Sequence, residues 1–107
     1  MKPGYVYLLG DSSQNLYKIG MTTKPIEERL KELQTGNATE LHLCAYHETD
    51  YPRRVESMLH NRFKNKNILN EWFELDSKDI SSFNDTCNGI EEIISIMKDN
   101  VFFTKDL

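Results

Sequence analysis

The sequence predicts an α+β domain on a mainly antiparallel sheet, and three patterns along the chain predict it. Two β-like runs, residues 5–9 and 16–21, are separated by the turn-forming Asp11-Ser12-Ser13-Gln14-Asn15, which makes them a hairpin. After the hairpin, helical and strand-like periodicities alternate, giving the order ββαβαβ followed by helices. The chain has 107 residues of which 38% are hydrophobic, which is enough for one modest core and predicts a single domain over 1–107.

Thr22 or Thr23 is placed to cap a first helix, with Pro25, Glu27 and Glu28 in its opening turn. Proline suits an unpaired first-turn N–H, and the acids suit the positive end of the helix dipole. Ile26, Leu30 and Leu33 keep helical spacing, and Gly36 stands where a C′ glycine ends a helix. Residues 41–47 read as a third strand. Asp50 with Pro52 opens a second helix to about residue 64, whose inner stripe is Val55, Leu59, Arg62 and Phe63. Glu56 and His60, four apart, lie side by side next to that stripe. The polar Asn65-Lys66-Asn67 loop leads to a short fourth strand, Trp72-Phe73-Glu74-Leu75. Ser77 caps a brief helix, and Gly89 precedes a last amphipathic helix bearing Ile90, Ile93, Ile94 and Met97. Val101-Phe102-Phe103 is expected to extend that packing.

No run approaches the roughly 18 apolar residues of a membrane span, and the apolar start breaks at Asp11, unlike a signal peptide. Cys44 and Cys87 lack metal-ligand spacing and read as reduced structural thiols, so an intracellular, cytoplasmic protein is expected. The net charge of −4 is unevenly distributed. Residues 1–75 hold ten Lys/Arg and ten Asp/Glu, whereas residues 76–107 hold three Lys and seven acids. The first part is therefore neutral with local basic clusters, which permits salt-sensitive binding through a few phosphates. The acidic tail repels nucleic acid from the face it covers.

Each chemically interesting side chain has an ordinary reading by itself. Tyr7 fits a core strand, Lys18 a solvated strand, Arg29 an ion-paired helix face, Glu56 a surface pair with Arg53, and His60 a structural helix position. Their order gives them another. Tyr5-Val6-Tyr7 and Lys18-Ile19-Gly20, with eleven residues from Tyr7 to Lys18, are followed by Arg29, by Glu56 in Val-Glu-Ser-Met-Leu-His, and by Glu71-Trp72-Phe73. Over residues 4–76 this resembles the GIY-YIG endonuclease superfamily. Within it, the chain resembles the branch typified by a bacteriophage T5 reading frame and a fungal meiotically up-regulated protein. Tyr5 stands in place of the first tripeptide's glycine, Lys18 in place of the second's tyrosine, and Asn70, fourteen residues after Glu56, best matches the late asparagine.

The resemblance implies a central three-stranded antiparallel sheet flanked by helices, with residues 77–107 as an acidic helical extension. It also implies a small endonuclease acting on double-stranded or branched DNA with Mg2+ or Mn2+. The residue chemistry is compatible with that reaction. A phosphodiester cut needs an activated water, neutralised phosphate charge and help for the leaving oxygen. The resemblance makes Tyr7 the general base, with Lys18 as the cation beside it. Arg29 would fork onto the phosphate, Glu56 would hold the metal, and His60 would orient that carboxylate or touch a phosphate. Asn70 completes the expected site. Two alternatives stay open: a catalytically weak or silent relative that binds nucleic acid or protein as a phage or viral regulatory factor, and an interaction module whose acidic tail mimics nucleic acid. A homodimer is a further candidate assembly.

Overall fold

A computed structural model describes residues 3–98. The expected Val101-Phe102-Phe103 packing lies outside the described residues. The fold is α+β, with one antiparallel sheet and four α-helices among the described residues. Strands β1 (Gly4–Asp11) and β2 (Tyr17–Thr22) form the N-terminal hairpin, and β3 (Leu41–Thr49) pairs with the other edge of β1. The sheet has five strands rather than the expected three, because β4 (Asn67–Leu69) and β5 (Trp72–Phe73) add a short ribbon beyond β2. The order is β3-β1-β2-β5-β4.

Alternation along β1 divides the core in two. Val6 and Leu8, with Ile19 of β2, face helices α2 (Pro52–Arg62) and α4 (Phe83–Lys98), meeting Val55, Leu59, Phe83, Cys87, Ile90 and Ile94. Tyr7 and Leu9 face the other way, onto Ile26, Leu30 and Leu33 of α1 (Ile26–Thr35). A bulge between Leu8 and Leu9 in the pairing with β3 leaves Cys44 as the extra residue.

Several local expectations are corrected by backbone geometry. α1 starts after Pro25 with no side-chain cap, and Thr22 Oγ1 accepts from the Lys24 N–H at 3.0 Å in the turn before it. α2 starts after Tyr51 with Pro52 in its first turn; Thr49, not Asp50, accepts the Tyr51 N–H at 2.9 Å. Gly36 closes α1 at φ −88°, outside the left-handed region. Arg62 is exposed at the end of α2, where water solvates its charge, while Val55, Leu59 and Phe63 are buried. Lys64–Lys66 is a 3-10 turn rather than loop. Asp76, not Ser77, caps α3 (Ser77–Ser81) in a reciprocal box with Asp79. α4 begins at Phe83, so Gly89 sits inside it; Ile90 and Ile94 are buried and Ile93 faces out.

Candidate active site

β5 is only two residues long, so it pairs with β2 only at Tyr17↔Phe73 and Lys18↔Trp72. The next β2 residue, Ile19, finds its partners elsewhere. Its N–H donates to the Glu71 carbonyl at 3.0 Å, and its carbonyl lies 2.8 Å from His60 Nε2. A carbonyl only accepts, so Nε2 carries the proton and Nδ1 keeps its lone pair. The imidazole also packs on Phe73, with ring centroids 5.1 Å apart.

One turn back on α2, Glu56 faces Glu71. Burial, the Glu71 charge and a hydrogen bond with Glu71 push the Glu56 carboxyl up to about 7, against the opposing pull of His60 and Arg53. The raised carboxyl is that of Glu56, with burial the largest cause and the neighbouring Glu71 the next. Glu71 also pairs with Lys18 at 3.3 Å, and the Lys18 ammonium lies 5.7 Å from the centre of the Trp72 ring. Glu56, His60 and Glu71 each offer a ligand atom, all within 4.8 Å of one another. This set of carboxylates and an imidazole fits a divalent cation.

Tyr7 approaches from the α1 side of the sheet. Its partner across the hairpin is Gly20, and a Cβ there would meet the phenol oxygen and come within 2.6 Å of Cζ. Glycine is thus the residue that lets the ring cross β2. The Arg29 guanidinium lies beside the phenol. Arg29 is steadied by Glu32 at 3.2 Å, itself bound to Lys24 at 2.5 Å. Burial raises the Tyr7 pKa; Arg29 opposes this, while the charges of Glu71 and Glu56 add to it. Tyr7, Arg29, Glu56 and Glu71 thus belong to one electrostatic site assembled from β1, α1, α2 and the β4–β5 turn.

The cation against the phenol is Arg29, whereas Lys18 is engaged by Glu71 and Trp72. Asn70 occupies the β4–β5 turn at φ 52°, exposed, with its carbonyl accepting from Asn67 Nδ2 at 2.8 Å. Glu71 is the residue to which sequence reasoning assigned no role. Its signal was an acid immediately before an aromatic strand, in the same motif as Trp72 and Phe73.

The family model of the T5orf172 domain matches residues 4–90, from the first residue of β1 into α4. The chain belongs to the T5orf172 domain family. The T5orf172 match thus takes in the hairpin, Arg29, both carboxylates and His60, and supports a phage-type protein. No curated protein and no solved structure matches the chain. Among the described residues, no helix is long and apolar enough to cross a membrane.

Proposed function

We propose that this T5orf172-domain protein is a small metal-dependent endonuclease of GIY-YIG type that hydrolyses phosphodiester bonds in DNA. The observation that carries the reading is that Arg29, Glu56 and Glu71 all act electrostatically on Tyr7, with Glu71 also against Glu56. These are a phenol, a guanidinium and two carboxylates from four separate parts of the chain. Glu56 would hold the divalent ion, with His60 and Glu71 within reach of the same position. That ion would supply a polarised water and neutralise charge on the phosphate.

Arg29 already faces the phenol, and its remaining N–H groups suit an in-plane fork onto a phosphate. Tyr7 acts as the proton acceptor for the attacking water. Burial works against its ionisation and Arg29 works for it, so activity is expected to climb into the alkaline range. His60 acts first on position, since its Nε2–H is committed to Ile19. Lys18 contributes charge at the rim through Glu71.

A second reading, a catalytically silent relative that binds nucleic acid or protein, is favoured by the Lys18–Glu71 pair and by the raised Tyr7 pKa. A supercoiled-plasmid assay with Mg2+ or Mn2+ separates the two. The nuclease reading expects nicking by wild type that Glu56→Ala and Arg29→Ala each reduce by about a hundredfold or more. Equal cutting by all three proteins refutes the site. DNA retardation without any cutting selects the silent relative.

A further inference from the structure

We propose that Glu56, His60 and Glu71 form a three-ligand centre, one imidazole nitrogen and two carboxylate oxygens, that selects a first-row transition dication over Mg2+. The inference rests on the reading of Glu56 as a metal ligand and deepens it. Three donors about 2.2 Å from one metal lie about 3.1–3.8 Å apart. Ligand atoms already within 4.8 Å of one another therefore need to close by at most about 1–2 Å.

The supporting structure is specific to this trio. Glu56 and His60 are four apart on α2 and so project from one face. The Ile19 peptide organises the other two groups together: its carbonyl takes the His60 Nε2–H, and its N–H ties down the backbone of Glu71. Donation of one ring N–H to a backbone carbonyl is the usual way a protein fixes the tautomer and orientation of a metal-binding histidine. Here that bond leaves Nδ1 as the donor atom. Mg2+ dehydrates reluctantly and is normally held by one or two carboxylates plus waters. An added imidazole favours the Mn2+ to Zn2+ series. Mn2+ lies at the weak end of that series for such ligands, so preference for Mn2+ over Mg2+ is a demanding test.

The test is Mn2+ binding to the full chain, followed by electron paramagnetic resonance with Mg2+ as competitor. The expected result is Mn2+ affinity at least about tenfold above that of Mg2+, with nitrogen-14 modulation in the Mn2+ echo signal. His60→Gln keeps an N–H for Ile19 but removes the ring nitrogen. It should abolish the modulation and lower Mn2+ affinity about tenfold, with Mg2+ binding changed less than about threefold. Glu71→Gln should weaken both ions. Failure of Mn2+ to bind, absence of nitrogen modulation in wild type, or affinities for the two ions within about threefold of each other would overturn the proposal. The wild-type spectrum decides the point even if a variant misfolds. Plasmid cutting in Mg2+ that requires Glu56, without nitrogen coordination, would leave the nuclease reading standing and remove this one. Nitrogen-bound Mn2+ with no cutting would do the reverse.

Discussion

Gly20 shows how a single side chain's absence builds a site. The Tyr7 ring occupies the space a Cβ would need, so Gly20→Ala forces either the phenol or β2 to move. Overpacking of this kind costs about 1–3 kcal/mol, and chemical denaturation should show a loss of that size. The phenol should leave Arg29 in the same variant. Glu56 and Glu71 make a second residue-scale prediction. The folded state holds the Glu56 proton up to about 7, above the ordinary 4.5, so folding favours the protonated form. Its contribution to stability is complete below about pH 4.5 and is lost as pH rises through about 7. Urea midpoints of the metal-free protein should fall across that window. Glu71→Gln should flatten the fall without abolishing it, because burial is the larger cause. Midpoints unchanged between pH 4.5 and 8 would contradict the raised Glu56 carboxyl.

At the scale of elements, the site exists because β5 stops after two residues. A longer β5 would pair with Ile19 and close the edge of β2; the short one leaves that peptide to His60 and Glu71. His60→Ala removes the partner of the Ile19 carbonyl and should destabilise the protein by about 1–3 kcal/mol. His60→Gln, which can still donate, should recover part of that loss in thermal or urea unfolding. α4 is tied to the sheet independently of the site. Its Cys87, Ile90 and Ile94 are buried, His47 meets Glu91 at 2.9 Å, and Asn84 Nδ2 donates to the Tyr46 carbonyl at 2.8 Å. Burial pushes the Cys87 thiol up to about 12, leaving it inert as a nucleophile. The helix belongs to the core architecture, and the T5orf172 match accordingly runs into it.

Over the whole molecule, a net charge of −4 bears on the proposed DNA binding. Long-range attraction is weak, so the proposed binding would have to come from local contacts at the site and its basic groups. Retardation of a DNA duplex should weaken with added salt, with a log–log slope of about −2 to −4, equivalent to two to four phosphates. A slope near zero would remove phosphate contact as the basis of any binding seen. A slope near −10 would require a basic surface well beyond the site.

The sequence by itself determined the local elements, because hairpin turns, helical periodicity and the proline and acidic signals of helix starts are short-range effects. It also placed Tyr7, Arg29, Glu56 and His60 as candidates through motif order. It placed a fourth strand at Trp72-Phe73-Glu74-Leu75, of which β5 is the first half, but it did not reveal β4, whose three residues carry no readable alternation. It paired Tyr7 with Lys18 because the two lie on neighbouring strands. Side-chain reach and burial instead put Arg29 on the phenol and Lys18 on Glu71. Glu71 had no role until folding set its carboxyl against Glu56, fifteen residues being too far along the chain for any local rule to couple them. Which charged groups come to face one another was decided only in the tertiary structure, since those energies depend on distance and burial and not on position in the chain.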